Sequence, residues 1–348
     1  APTPVSALIH AATMVNAGVY LLARFFPAFE AVPGWTTTVI IIGLLSALLA
    51  ALMALVASDL ERSLAYSTIS QLGYMVYAVG TGAIFASQFH LLSHAVFKAL
   101  LFLGAGAVIH AVGTRDMREM GGLGGQMPFV RAVFVIGALA LAGLPIANGF
   151  FSKELVLENG LAHGPLWAYA LMLVGAGLTA LYSLRMVWLV FYGEPRGETQ
   201  AHDAPVTMRV SLGLLAVGTL TTWLLAGPFG RLLAGTLPFH ELHVLPTAEV
   251  IAEIVLAPAT WAALAVVALG LAVWFLRGAL AGLARSLEPL DEFAAGGLGF
   301  EWLNRQIIVL TNNSASALRT AQTGQLNWNV VGIVGGLILV LAIVIWGV

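Results

Sequence analysis

Residues 84–110 read IFASQFHLLSHAVFKALLFLGAGAVIH, a run that is apolar and long enough to cross a bilayer as a helix. A spanning helix needs about 20 mostly apolar residues, and this segment exceeds that length. It nevertheless carries His90, His94 and Lys98, spaced four residues apart. A step of four residues advances only about 40° around a helix, so these side chains share one stripe roughly 12 Å long. The segment therefore predicts a spanning helix with a titratable face.

The composition of the whole chain is that of a membrane protein. Of its 348 residues, 59% are hydrophobic and 9% are charged, whereas soluble domains carry roughly 25% charged residues. The net charge of −2 argues against a nucleic-acid-binding protein. The sequence has no cysteine, which excludes disulfides, thiolate metal sites and cysteine-held iron–sulfur clusters. We therefore predict an all-α integral membrane protein. We also expect a fragment, because the chain starts at Ala1 and no signal peptide follows.

Apolar segments of spanning length predict about nine transmembrane helices. They cover residues 4–23, 36–57, 62–80, 84–110, 129–155, 165–191, 207–226, 255–276 and 328–347. The fifth segment contains Gly143, Pro145 and Gly149, which weaken or break helical hydrogen bonding, so we expect an interrupted helix there. Transporters place such breaks beside their ion sites, where the free backbone lines a cavity.

Two connections are long, 227–254 and 277–327. The second includes a stretch near 299–320 that we expect to lie along the membrane surface as an amphipathic helix. With the N-terminus in the cytoplasm, the arginines collect at cytoplasmic helix ends, and only Arg24 and Arg231 fall at the opposite ends. Positive residues favour the cytoplasmic side. The sequence therefore predicts a cytoplasmic N-terminus and an outside C-terminus.

The two lysines, Lys98 and Lys153, both lie inside hydrophobic segments, whereas the arginines lie almost entirely at helix ends and in loops. An ammonium group at mid-bilayer costs a few kcal/mol. A buried lysine can release its proton, whereas arginine stays charged. This segregation favours lysines that take up and release protons, with snorkelling to the interface as the alternative. Lys153 adjoins the predicted break and is followed by Glu154.

The stripe formed by His90, His94 and Lys98 permits three interpretations. Histidine titrates near neutrality, so the stripe could relay protons together with water. The histidines could instead serve only as structural hydrogen-bonding groups. Their spacing also suits zinc, but zinc would require a further ligand and the segment carries no acidic side chain. We favour the relay.

Two further segments carry polar faces that either line water or hold helices together. The first segment contributes Thr3, Ser6, His10 and Thr13. The third segment contributes Ser63, Tyr66, Ser67, Ser70, Gln71 and Tyr74. The charged residues Asp59, Glu61 and Arg62 precede that face in a short turn, where we expect them at the membrane interface.

Four motifs together resemble the antiporter-like subunits of bacterial NADH–quinone oxidoreductase, the respiratory complex I type, and most closely the subunit L branch. They are PTPVSALIHAATMV at 2–15, LAYSTISQLGY at 64–74, FHLLSHAVFKALLFL at 89–103 and GFFSKE at 149–154. The resemblance implies a fold of two inverted five-helix repeats, each with a broken helix. Residues 1–192 would then hold the end of the first repeat and the whole second repeat. Residues 193–348 would hold C-terminal helices and a lateral segment that looks short for this family.

The resemblance also implies roles for matching residues. His10 would link two half-channels, His90, His94 and Lys98 would form a central polar axis, and Lys153, with Glu154 beside it, would lie near the outward exit. The chain itself would bind no cofactor, because FMN and the iron–sulfur clusters would belong to partner subunits. Other membrane subunits of the complex, the lipid bilayer and protons would be its partners in a bacterial plasma membrane.

The leading hypothesis is therefore a proton-translocating subunit of a complex I-type NADH:quinone oxidoreductase. The alternatives are a subunit of an Mrp-type Na⁺/H⁺ antiporter and the related subunit of a membrane-bound hydrogenase. These differ in their partners, so neighbouring genes would discriminate between them. A scaffold subunit without transport is the fourth hypothesis, and it fits poorly with lysines confined to the bilayer.

Overall fold

The computed structural model of the protein describes residues 3–196, 201–237, 242, 244–286, 288–321 and 326–346. These residues form helices and no β-strand, and an isolated β-bridge joins Asp59 to Asp116. The predicted all-α class is confirmed. Residue 2 of the first motif and residue 347 of the last predicted segment lie outside the described residues.

The helices follow one another in short steps along the chain. They are α1 (Thr3–Ala7), a π-helix (Leu8–Ala12), α2 (Met14–Phe29), α3 (Trp35–Val56), α4 (Leu60–Gly80), α5 (Ile84–Val112), α6 (Pro128–Ala142), α7 (Asn148–His163), α8 (Leu166–Val187), a second π-helix (Trp188–Tyr192), α9 (Val206–Thr221), a 3₁₀ turn (Thr222–Leu225), α10 (Ala226–Thr236), α11 (Thr247–Leu256), α12 (Pro258–Phe275), α13 (Ala281–Ser286), α14 (Glu288–Ala295), α15 (Phe300–Ala321) and α16 (Leu326–Trp346).

Seven helical stretches among the described residues are long and apolar enough to span a membrane, so the protein is a multi-pass membrane protein. They are Thr3–Phe29, Trp35–Val56, Ile84–Val112, Leu166–Tyr192, Val206–Thr236, Pro258–Phe275 and Asn327–Trp346. The third predicted segment forms α4, which has the length of a span but carries many polar side chains. The fifth forms the two shorter helices α6 and α7. The predicted number of nine spans is therefore not established.

The predicted break in the fifth segment is confirmed. Gly143 ends α6 in the left-handed region with φ of 79°, and Ile146 also has a positive φ of 83° before α7 starts at Asn148. Gly149, in the first turn of α7, packs directly against the main-chain carbonyl of Ala140, where no Cβ would fit. The break thus turns the chain while keeping the two half-helices in tight contact.

The first predicted segment differs from a simple span. The π-helix (Leu8–Ala12) and Thr13 interrupt it, and the helix then runs on to Phe29 instead of ending near residue 23. The widened turn leaves main-chain carbonyl groups that need partners. The hydroxyl of Thr13 donates to the Leu8 carbonyl at 3.0 Å, and the side-chain amide of Asn16 donates to the Ala11 carbonyl at 2.7 Å.

The interpretation of 227–254 as a long connection is wrong. The seventh segment continues through a 3₁₀ turn into α10, which ends at Thr236, and Thr247–Leu256 forms α11. The stretch is rich in Pro, His and Glu, but it also has apolar residues that are buried, among them Leu233, Val250 and Ile254.

The helix expected near 299–320 is present as α15, Phe300–Ala321. The described structure falls into two compact units, residues 1–295 and 296–348. The second unit contains the amphipathic α15 and the apolar α16. The division predicted at residue 192 concerns the end of a repeat and stays a prediction.

Helix α5 lies at the centre of the first unit, in contact with α1, the first π-helix, α4, α6, α7 and α9. Asp59 caps the N-terminus of α4, because its carboxylate accepts a hydrogen bond from the Arg62 amide at 2.9 Å. Gly43 of α3 and Gly73 of α4 bring these two helices into backbone contact, since a Cβ on either glycine would clash with the opposite main chain. Helix α4 also packs against α5, and Lys98 of α5 hydrogen-bonds to Leu64 and Ser67 on its polar face.

Candidate functional site

Lys98 lies at the middle of α5 and is fully buried. Its ammonium group donates to the Leu64 carbonyl at 3.1 Å and to the Ser67 hydroxyl, both on α4. Ser67 is itself within hydrogen-bond distance of the Leu64 carbonyl, at 2.8 Å. The lysine is therefore held inside the bundle, and snorkelling to the interface does not describe its position.

His90 joins three helices. Its Nδ1 lies 2.9 Å from the Ser152 hydroxyl of α7, and its Nε2 lies 3.1 Å from the Gln71 side-chain oxygen of α4. Ser152 also donates to the Asn148 carbonyl at 3.0 Å. Because a serine hydroxyl carries a single hydrogen, Ser152 can donate either to Asn148 or to His90, and the choice depends on the protonation of the imidazole.

His94 lies between the other two members of the stripe. Its ring centroid is 6.4 Å from that of His90 and 5.4 Å from that of Phe97. Its electrostatic interactions are with Lys98 and His90, and it approaches the main chain of Ala11. Neither ring nitrogen forms a hydrogen bond within the described part of the chain. The predicted stripe of His90, His94 and Lys98 is thus a continuous buried line.

Lys153 is the second buried lysine, and it lies directly after the helix break. Its ammonium nitrogen lies 4.8 Å from the centroid of the Tyr74 ring, in cation–π geometry, and the Tyr74 hydroxyl donates to the Met172 carbonyl at 2.8 Å. A methyl group on Gly143 would lie 3.4 Å from Lys153 Cδ. The lysine stem therefore lies next to the break. The ammonium has no hydrogen-bond partner among the described residues.

Three carboxylates follow Lys153 in a chain of electrostatic interactions. Glu154 is buried and interacts electrostatically with Lys153 and with Glu158, which in turn interacts with Glu253 of α11. Glu253 lines a cavity of about 450 Å³ together with Asn159 and His163. The lysine at the break is thus connected through acids to an open cavity.

His10 lies in the first π-helix and is partly buried. Its ring stacks on Phe102 of α5, with centroids 5.3 Å apart and planes inclined by 12°. Phe102 is one helical turn after Lys98, and His10 interacts electrostatically with Lys98 and with Glu61. The π-helix thus brings His10 to the same face of α5 that carries the stripe.

Several buried polar atoms along this line have no hydrogen-bond partner within the described residues. They include Gln71 Nε2, Gln88 Nε2, Ser93 Oγ, both nitrogens of His94, Asn148 Oδ1, Lys153 Nζ and Glu154 Oε2. Buried polar groups are normally hydrogen-bonded to protein or to ordered water, so this line is suited to hold water. The described residues contain no group of three or more His, Asp or Glu side chains placed to hold a metal ion.

The structure brings together residues that the sequence had not connected. Ser152 and Asn148 reach His90 and the Ser93 carbonyl from α7, where they are spaced four residues apart on one face. That spacing is the signal that could have identified them. Glu158 continues the spacing from Glu154 in the same way, whereas the pairing of His90 with Gln71 depends on helix packing and has no local signal.

Comparisons with known proteins agree on one family. Residues 1–179 match the family described as NADH:quinone oxidoreductase/Mrp antiporter, transmembrane. The chain is 46% identical over 235 residues to NADH-quinone oxidoreductase subunit L of Rhodobacter capsulatus, covering 63% of this chain and 33% of that protein. It is 48% identical over 235 residues to F(420)H(2) dehydrogenase subunit L of Methanosarcina mazei, covering 63% and 35%.

A similar fold occurs in the structure of the Mrp complex from Dietzia sp., with a TM-score of 0.76 and 30% identity, covering 100% of this chain and 38% of that one. The chain spans about a third of the length of the two curated relatives described above.

Proposed function

Because this chain belongs to the NADH:quinone oxidoreductase/Mrp antiporter family of transmembrane proteins, we propose that it translocates protons within a multi-subunit membrane complex of the complex I type. The observation that carries the proposal is the buried line from Lys98 through His94 and His90 to Ser152, next to Lys153. Burying two lysines inside a bilayer is energetically unfavourable. A role in holding protons during translocation would account for this free-energy cost.

Lys98 and Lys153 act as the two proton-holding sites in this proposal, and the histidines transfer protons between them. Lysine can hold or release its proton when buried, since the ammonium loses much of its hydration there. The separation of His90 from Lys98 is two helical turns, about 12 Å, so direct transfer between them is too long. His94 and water bound to the unpaired polar atoms divide that distance into shorter steps.

Lys153 and Glu154 form the outward part of the route. A proton released from Lys153 would move to Glu154, then to Glu158, and reach the cavity lined by Glu253. Moving one charge outward against 100 mV costs about 2.3 kcal/mol. The partner subunits would supply this energy by shifting the balance between protonated and neutral lysine.

The redox chemistry of the complex would take place in those partner subunits, which would carry FMN and iron–sulfur clusters, and this chain would bind no cofactor. The position in a bacterial plasma membrane, with a cytoplasmic N-terminus, belongs to the same proposal. A second candidate is a subunit of an Mrp-type antiporter, which is favoured by the similarity over the full chain to the Dietzia sp. Mrp complex.

The test is proton pumping by vesicles that contain the full complex, normalised to the amount of assembled complex. We expect Lys98→Ala and Lys153→Ala each to reduce pumping about tenfold or more, as the loss of an acid–base group typically does, with assembly retained. The control is Arg231→Ala, which removes an exposed cation of α10. Normal pumping by both lysine variants at normal assembly would refute the proposal. Sodium-dependent exchange without quinone reduction would instead identify the antiporter.

A further inference from the structure

The face of α5 that carries the stripe continues beyond Lys98 at the same spacing of four residues, through Phe102 to Gly106. His10 covers Phe102, and Thr3 covers Gly106 so closely that a Cβ on this glycine would clash with the Thr3 side chain. The segment α1 and its π-helix therefore lie along the two turns of α5 that follow Lys98, in the half of α5 that ends near the start of α4. The sequence predicts that this end faces the cytoplasm.

Glu61 lies where this covered face meets the surface. Its Oε1 accepts a hydrogen bond from the Thr3 hydroxyl at 3.0 Å, and its Oε2 lies 3.5 Å from an Arg115 guanidinium nitrogen. The Glu61 side chain is 14% exposed, so it reaches both solvent and the interior. His10 interacts electrostatically with both Glu61 and Lys98. A titratable group thus stands at each step from the surface to the buried lysine.

We propose that Glu61 is the residue through which protons enter the line from the side where α4 begins, with His10 passing them to Lys98. The protonated carboxyl of Glu61 gives its proton towards the imidazole of His10 and is left as a carboxylate, which binds a new proton from bulk water. The imidazolium of His10 then gives a proton to the neutral amine of Lys98, which becomes an ammonium. This inference rests on the proposed proton translocation and extends it to an uptake residue.

An alternative role for Glu61 is structural, as the partner of Arg115 and of Thr3. The two roles differ in what must be preserved. A structural role needs the hydrogen bond and the ion pair, whereas uptake needs a group that can gain and lose a proton. Glu61→Gln keeps the hydrogen-bond acceptor for Thr3 but cannot carry a proton, and Arg115→Gln removes the ion pair but keeps the carboxyl group.

The experiment compares variants of the full complex in membrane vesicles, with pumping normalised to assembled complex. Glu61→Gln should lower pumping about tenfold, and Glu61→Asp, which keeps a carboxyl group, should retain most of it. Arg115→Gln should stay within about twofold of the unmodified complex, because the Arg115 side chain is 60% exposed and solvent screens its interaction with Glu61. The matched control is Glu119→Gln on the exposed loop after α5, where Glu119 accepts from the Thr114 hydroxyl at 2.6 Å.

Added formate, a small weak acid that carries protons, should restore pumping at least in part in Glu61→Gln, which a structural defect would not allow. Equal losses in Glu61→Gln and Arg115→Gln, or no restoration by formate, would overturn the inference. If Glu61→Gln does not assemble, Thr3→Val tests the same contact and should lower pumping while Glu61 stays in place. Normal pumping by that variant would also overturn it.

Lys98→Ala is measured in the same series, so that uptake through Glu61 and proton translocation by the chain can be tested separately. If Lys98→Ala blocks pumping and Glu61→Gln does not, the uptake residue is wrong and proton translocation stands. If Lys98→Ala and Lys153→Ala both pump normally, the proposed translocation itself fails.

Discussion

Replacing Lys98 by arginine separates the charge of this residue from its ability to release a proton. Lys98→Arg keeps a cation beside the Leu64 carbonyl and the Ser67 hydroxyl, the two groups that accept hydrogen bonds from the ammonium. A guanidinium has enough donors for both acceptors. If Lys98 serves only to join α4 and α5, the arginine should preserve much of that function.

The two roles predict effects of very different size. Arginine has a reference pKa above about 12, so releasing its proton at pH 7 costs at least about 7 kcal/mol, from roughly five pH units at 1.36 kcal/mol each. That cost corresponds to about 10⁵-fold slower release. The larger side chain in a fully buried site adds an overpacking cost of about 1–3 kcal/mol to stability. Pumping should therefore become undetectable, whereas assembly should fall only in part.

The assay is dye quenching in vesicles that contain the full complex, per unit of assembled complex, with thermal stability of the purified complex measured alongside. Lys98→Ala provides the comparison, because it removes both the charge and the proton carrier. We expect no detectable pumping by Lys98→Arg and pumping reduced about tenfold or more by Lys98→Ala. Full pumping by Lys98→Arg would refute the relay, and the stripe would then be polar packing between helices.

Two further predictions concern the stripe and the break. His90→Ala and His94→Ala should each reduce pumping about twofold to threefold, because water can bridge one missing group. The double variant should lose more activity than the product of the two single-variant fold-losses, because the gap in the stripe then exceeds one water-bridged step. A loss in the same dye assay equal to that product would contradict this prediction. Gly149→Ala should lower the free energy of unfolding by about 1–3 kcal/mol, because the alanine Cβ would clash with the Ala140 carbonyl. The change is measured as a lower melting temperature of the purified complex. Gly125→Ala, with open space around the glycine, is the control and should leave stability unchanged.

Much of the fold follows from the sequence because a bilayer imposes strong rules. Runs of about 20 apolar residues must be helical there. Glycine and proline weaken a helix, and their positions in the fifth segment predicted the break that follows Ala142. The π-helix at Leu8–Ala12 was not predictable, because it depends on a widened turn closed by Thr13 and Asn16. The helices α10 and α11 were missed because each is too short to be recognised as a span by hydropathy.

The candidate site was predictable along one helix and less so between helices. Spacing alone put His90, His94 and Lys98 on one face of α5, and the structure buries all three together. The partners of Lys98, Leu64 and Ser67 of α4, could not be predicted, because they depend on how α4 packs against α5. The sequence placed Glu61 at the interface among neighbouring charges, whereas the structure pairs it with Thr3.

The hydrogen bonds of His90 would allow this residue to gain and lose a proton without changing partners. In the neutral ring, Nε2–H donates to the Gln71 oxygen and Nδ1 accepts from the Ser152 hydroxyl. In the charged ring, Nδ1–H donates to Ser152, whose hydrogen turns to the Asn148 carbonyl 3.0 Å away. Both charge states are therefore fully hydrogen-bonded in one geometry, and only the serine hydroxyl must rotate. A histidine that served as structural packing would need one of these states, whereas a proton carrier needs both.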